Sequence, residues 1–333
     1  MESPGPPNSG ASSTALRVLV ISYSQTGDSA RVAQAISEPL AEAGHQVTCE
    51  RLRPVVEYPF PWRNPLRFFD VLPECLLGPP PAMQPVGFDP GAPFDLVILV
   101  YQVWFLSPSL PVQGFLASSA AAVLRGKPVV TVSVSRNMWQ SASERMKRLL
   151  RDAGAIHTDN VVVTHQGPPW ATFVTTPRAL LFGKTEPFWG IFPPAGIGAK
   201  ELDRVRQIGE ILRDRWPLRA AGSAEPALCG VGAVAINRRY MVPEAIGWYL
   251  FMGWARVLKA LGRLGRWARQ SGIVCFMIFL VCVVGLGIPA VVLMTLLLFP
   301  VLRKSMAAYA ERLAAPSGSG RATGAVSHGI DGP

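Results

Sequence analysis

The residues best suited to chemistry form one run, Ser22-Tyr23-Ser24-Gln25-Thr26-Gly27-Asp28-Ser29. It follows a short apolar, β-branched stretch at 16–22 (LRVLVIS). It opens a segment at 28–42 in which Val32, Ile36 and Leu40 recur every four residues. The first pattern predicts a buried strand and the second a helix. At such a junction an anion meets free backbone N–H groups and the positive end of a helix dipole. Gly27 permits the tight turn, while Ser24, Thr26 and Ser29 offer hydroxyl donors to phosphate oxygens. Helix capping is the bland alternative, but three hydroxyls around one glycine exceed what a cap needs. Neither GxGxxG nor GxxxxGK[ST] is present, which disfavours a dinucleotide Rossmann site and a nucleoside-triphosphatase loop.

Two further clusters follow apolar runs. Tyr101-Gln102-Val103-Trp104-Phe105-Leu106-Ser107-Pro108-Ser109 comes after 95–101 (DLVILVY), and Ser133-Val134-Ser135-Arg136-Asn137-Met138-Trp139 ends 128–134 (PVVTVSV). If both runs are parallel strands, the two clusters and the serine-rich loop share the C-terminal edge of one sheet, where α/β folds bind ligands. Trp104 offers a flat face for stacking, or else is core. Arg136 offers positive charge and Asn137 an amide for hydrogen bonds. His157 and His165 flank a fifth run at 160–164 (NVVVT). His165 is a proton-donor candidate without a Ser or Cys partner. No metal-ligand spacing occurs, and no catalytic side chain is assigned.

The elements that must position these clusters alternate. After the first strand and helix, which Gly44 ends, come strands at 45–51, 95–101, 128–134 and 160–164. Helices are expected at 112–123, 141–154 and 199–215. Alternation of this kind implies right-handed crossovers and a doubly wound five-stranded parallel sheet. Insertions at 54–93 and 165–198, rich in Pro and aromatics, are longer than ordinary connections. They either cover a pocket or dock a partner, or form a lid without chemistry.

The chain has 333 residues, 49% of them hydrophobic, and a formal charge of +10. Its apolar content is concentrated at the C-terminus, where 273–302 carries no charged side chain. Arg256, Lys259, Arg263, Arg266 and Arg269 precede that run, and Arg303 and Lys304 follow it. Basic residues so placed point to anionic lipid headgroups rather than nucleic acid. The five cysteines are scattered, without a CxxC pair, and fit a reducing compartment. The organisation expected is a disordered leader (1–15), an α/β domain (16–216), a linker (217–242), an amphipathic interfacial helix (243–271), a membrane segment (272–302) and a disordered tail (303–333). The membrane segment would be about 45 Å long as one helix, against a hydrocarbon core near 30 Å. Gly285, Gly287 and Pro289 interrupt it, so it reads either as one kinked span or as a hairpin. In both cases the α/β domain faces the cytoplasm.

Ser24-Gln25-Thr26-Gly27-Asp28-Ser29 resembles the Ser/Thr-x-Thr-Gly-x-Ser/Thr phosphate loop of the flavodoxin superfamily, which includes FMN-dependent NAD(P)H:quinone oxidoreductases. Ser107-Pro108-Ser109-Leu110-Pro111 is similar to that family's Ser-Pro-x-x-Pro segment beside the flavin. The resemblance covers 16–216. It implies a flavodoxin-like fold with FMN held by Ser24 to Ser29, by Gln102, Val103, Trp104 and Phe105, and by Ser133, Ser135, Arg136, Asn137, Met138 and Trp139. It also implies NAD(P)H as electron donor and, with the membrane segment, a hydrophobic acceptor such as a quinone. A homodimer is left open. The chain departs from the pattern at Asp28, a carboxylate in a slot where the family usually has a neutral or basic side chain, and at the bulky Arg-Asn-Met-Trp run, where the family is commonly Gly-rich. The stretches RPVVEYPFPW, YQVWFLSPSLP, VTVSVSRNMW and FVTTPR are also similar to a bacterial group labelled dialkylresorcinol condensing enzyme. Two other functions therefore stay open, a non-catalytic scaffold or electron carrier and a role in lipid-like polyketide biosynthesis.

Overall fold

A computed structural model describes residues 15–219, 223 and 225–315. The expected leader, up to residue 14, and the tail from 316 onward lie outside the described residues. The five runs read as strands all form them: β1 Arg17–Ser22, β2 Gln46–Arg51, β3 Leu96–Trp104, β5 Pro128–Ser135 and β6 Ile156–Thr164, with a two-residue β4 at Ser107–Pro108. The order is β2-β1-β3-β5-β6, every one of these neighbours parallel. Leaving out the short β4, this is the flavodoxin-like order, whose ligand crevice opens where β1 and β3 diverge. Val18 to Ile21 and Leu96 to Tyr101 are buried on both sheet faces, as continuous apolar runs in a covered parallel sheet must be.

Helices α1 Asp28–Glu42 and α7 Ala199–Arg215 cover one face. Their close crossing depends on Gly209, where a Cβ would lie 2.4 Å from the Ile36 carbonyl oxygen. Helices α4 Leu110–Leu116 and α5 Gln140–Asp152 lie on the other face. A bulge in β6, set by a register shift between Val129 and Val130, turns Asp159 toward the chain after α7. Its carboxylate accepts from the amides of Ala227 and Leu228 at 3.1 and 2.8 Å. The segment expected to be a linker is therefore partly core, with Leu228, Ala233 and Val234 buried.

Both insertions contain helices. The first holds α2 Pro65–Asp70 and α3 Leu72–Leu77, and the second α6 Pro169–Phe182. Arg145 on α5 pins α3 by donating to the Cys75 and Leu76 carbonyls.

The C-terminal part comprises α8 Met241–Arg263, a break at Gly265, and then α9 Arg266–Cys282, a π turn Val283–Gly287 and α10 Ile288–Ala314. The interfacial helix expected over 243–271 thus ends earlier, where Gly265 adopts φ +120°. Backbone angles stay helical through the π turn, so α9 and α10 form one helix and the chain does not reverse. Pro289 lacks the N–H that would bond the turn before it, and the helix answers by widening rather than breaking. Residues 303–314, expected to be tail, are its last turns. Arg266–Pro300 is long and apolar enough to cross a membrane.

Candidate functional site

The loop between β1 and α1 has the features of an anion seat. Gly27 adopts φ +92°, and nothing lies within 4 Å of a Cβ placed there. Among the described residues, no protein acceptor takes the amides of Thr26 to Ala30. The hydroxyls of Ser24 and Ser29 are buried and lack partners. Such donors, left unpaired under the first turn of a helix, favour an anionic ligand.

The Asp28 carboxylate beside this seat has partners of its own. It accepts from Arg31 Nη2 at 2.5 Å, from the Thr26 hydroxyl at 3.2 Å and from the Ile197 amide at 3.4 Å. Thr26, expected to donate to a phosphate, is thereby engaged. Across from Asp28 stands His165, with Nε2 at 4.0 Å and Nδ1 at 3.2 Å from the Thr176 hydroxyl. Burial lowers the His165 pKa; the Asp28 charge opposes this, and Arg136 adds to the lowering. Burial therefore favours the neutral imidazole.

Next to the loop, the end of β3 turns into β4 through Phe105 and Leu106, both at positive φ (49° and 61°). Two non-glycine residues in this region are strained, and such strain clusters at ligand sites. The turn sets Trp104 in an aromatic group, with ring centres 5.2 Å from Tyr58, 5.9 Å from Tyr23 and 6.5 Å from Trp62. Trp104 Nε1 donates to Gln102, and Trp62 Nε1 to Gln25, so the aromatic group is tied to the anion loop.

A cavity of about 390 Å³ joins these parts. Its polar end is formed by Thr26, Asp28, Gln102, Ser135, Arg136 and His165. Its apolar end runs between Phe68, Phe105 and Leu250 to Val283, Gly287 and Val291 on the long C-terminal helix. Arg136 is the principal cation there, its guanidinium 3.8 Å from the centre of the Phe173 ring. Burial brings its pKa down to about 10, so it remains charged.

Of the residues expected to form a ligand site, Gln25, Thr26, Asp28, Gln102, Val103, Trp104, Phe105, Ser135, Arg136 and Met138 line the cavity. Ser24, Gly27 and Ser29 form the adjacent seat. Three do not belong. The Ser133 hydroxyl points into the sheet toward the Val161 carbonyl. Asn137 faces the Thr172 hydroxyl at 3.5 Å. Trp139, 1% exposed, packs with Met241 and Met306. The bulky run turns its third side chain inward to the cavity and its fourth into the seam with the C-terminal helices.

Sequence reasoning missed Glu244. It is buried on α8, with Oε1 accepting the Ser141 amide at 2.7 Å and Oε2 left without a partner. Burial raises its pKa to about 7, against the opposing pull of the amides at the start of α5. An acid in an apolar helix facing a distant helix N-terminus leaves no local signal. Both insertions contribute to the cavity wall, through Phe68 and Phe69 and through Phe173 and Leu180.

No family model matches the chain, and no curated protein matches it. Solved structures similar to parts of it include a flavoprotein in complex with FMN from Lactobacillus acidophilus, at 16% identity over 45% of this chain and 93% of that one, TM-score 0.36. A flavodoxin from the domain Archaea is 13% identical over 60% and 97%, TM-score 0.32. A flavodoxin, WrbA-like protein from Agrobacterium tumefaciens is 13% identical over 60% and 96%, TM-score 0.32. Likenesses this distant carry no argument of their own; the strand order defines the fold.

Proposed function

We propose that this protein is a membrane-associated FMN-dependent oxidoreductase that passes electrons from NAD(P)H to a hydrophobic acceptor such as a quinone. The observation that carries the reading is the cavity, which has an anion seat beside it, a half-buried arginine at one end and apolar helices at the other. The loop fits a phosphate, because the unpaired Ser24 and Ser29 hydroxyls and the free amides supply donors. The Asp28 charge beside the seat is offset by its ion pair with Arg31.

FMN, when bound, supplies hydride chemistry that no side chain here provides. The protein's own residues bind and orient. Ser24, Ser29 and the first turn of α1 hold the phosphate. Trp104 and the Gln102 amide bound the planar part of the site, and Arg136 stabilises negative charge at the polar end. The apolar walls exclude water and take the tail of the acceptor. His165, facing Asp28 across 4.0 Å, is placed to hand on a proton.

A second reading is favoured by the outline of the cavity, a small polar head and a long apolar body, which also suits an alkyl-chain aromatic of lipid-like polyketide biosynthesis. NAD(P)H consumption by the full-length protein in lipid nanodiscs, loaded with FMN, separates the two. The first reading predicts turnover with long-tailed quinones in preference to tail-less ones. No turnover with either quinone, together with tight binding of alkylresorcinols by flavin-free protein, would favour the second.

A further inference from the structure

The membrane contact in the proposed function leaves its geometry open, and the long C-terminal helix settles on one. α9, the π turn and α10 comprise 17, 5 and 27 residues in continuous helix, roughly 70 Å at 1.5 Å per residue. This helix touches the rest of the chain along its whole length. At its start Arg269 bonds Asp70 at 2.5 Å and Glu74 at 3.0 Å. Phe276 is buried against Phe69 and Phe251. Val284, Gly287 and Val291 close the cavity, and Thr295 is buried beyond them. At its end Met306 and Leu313 are buried, and Lys147 donates to the Arg312 and Ala315 carbonyls. Phe276, Val284, Gly287, Val291, Thr295, Met306 and Leu313 recur after one, two or three turns, which marks one face of a helix.

The opposite face is exposed and apolar. Ile278, Leu286, Leu293 and Leu297 each follow one of those contacts by two residues, about half a turn round, and Leu286 is 75% exposed. No charge lies between Arg269 and Arg303. Exposed cations bracket this stripe: Arg256, Arg263 and Arg266 on one side, Arg303 and Lys304 on the other. Trp267, 83% exposed, stands beside them. Uncharged in the middle, with cations and an indole at the rim, the stripe matches acyl chains below a headgroup layer. A protein partner would not require that rim.

We infer that the helix does not cross the bilayer but lies in the plane of one leaflet, with its outward stripe among the acyl chains and both ends on the side of the α/β domain. A span normal to the bilayer would have to strip the helix from the domain, opening the cavity and breaking the Arg269 and Lys147 contacts. In plane, the wall of the cavity at Val283–Gly287 is a single helix away from the lipid tails, where a hydrophobic acceptor resides. The inference rests on the membrane reading but can fail without it.

The test uses the full-length chain on sealed vesicles containing anionic lipid, with nitroxide labels placed singly at native Cys275 and Cys282 and at L286C, L293C and L297C. The remaining cysteines are changed to Ser, except buried Cys75. The expected result is one shallow depth at all five sites, roughly 5–10 Å into the headgroup–acyl boundary. A membrane-impermeant thiol reagent added outside should label both S271C and K304C. A depth profile reaching the bilayer midplane near residue 286, or protection of one of the two end cysteines, would overturn the in-plane geometry while leaving membrane association intact. Absence of vesicle binding would overturn both. A stable solution dimer that buries the stripe would assign it to a second copy and also overturn the inference.

Discussion

The Arg136 guanidinium lies 3.8 Å from the centre of the Phe173 ring, and Arg136 makes no ion pair among the described residues. A half-buried cation thus faces an aromatic ring instead of a carboxylate, which leaves its charge available to a ligand. Tyr240 and Glu244 act on it only from a distance. For Arg136→Gln, the account predicts a more negative midpoint potential of bound FMN, because the reduced flavin loses a stabilising charge. A loss of about 1.4 kcal/mol corresponds to roughly 30 mV for a two-electron couple. A redox titration of the flavin-loaded variant checks this, and an unchanged potential would place Arg136 away from the ring.

The anion seat can be tested from both sides. Replacing Ser24 or Ser29 by Ala removes a hydroxyl with no other partner, so FMN affinity should fall roughly 10- to 100-fold for each. Asp28→Asn should act in the opposite direction. It removes a negative charge near the seat and frees Arg31, and affinity should rise by up to about tenfold. Isothermal titration of the three variants measures all of this. Weaker binding by Asp28→Asn would mean that the carboxylate organises the loop more than it repels the ligand.

Glu244 predicts a pH dependence of stability. Its pKa is raised from its ordinary 4.5 to about 7 in the folded protein. Between these values the folded state binds more protons than the unfolded state, so stability declines as pH rises from about 4.5 to about 7 and is level above. Glu244→Gln keeps an acceptor for the Ser141 amide without the charge. It should flatten this decline and add stability above pH 7, with an upper bound of roughly 3 kcal/mol. Thermal melts of both proteins across this range give the answer, and parallel curves would show that the acid is not buried in solution.

Gly247 on α8 lines the cavity where a Cβ would meet only Leu106, at 3.5 Å. Gly247→Phe should fill the passage from polar to apolar end. KM for a long-tailed quinone is expected to rise about tenfold, while a tail-less quinone is used as before. Equal losses for both would indicate general damage to the fold.

Much of this was legible in the sequence, and the reasons are local. The runs at 16–22, 95–101 and 128–134 are short, continuous and β-branched, a pattern that only a covered parallel strand requires, and they gave the sheet. The run around Gly27 was placed correctly between β1 and α1. The Phe105–Leu106 turn was not legible, because positive φ at bulky residues is imposed by the β3–β4 pairing and by packing from α2 and α3. Trp139 was misassigned for a related reason. Its place in the seam depends on Met241 and Met306, more than a hundred residues away. The long apolar helix was legible from composition, but that it continues instead of forming a hairpin shows only in the helical backbone angles through Val283–Gly287.

The central claim is that the β1–α1 loop and the cavity beside it hold FMN. The most direct measurement is the visible absorption spectrum of the full-length protein after incubation with FMN and removal of unbound ligand. The account predicts a retained flavin spectrum at close to one FMN per chain, lost in the Ser24→Ala, Ser29→Ala double variant. A folded protein that stays colourless under the same conditions would contradict it.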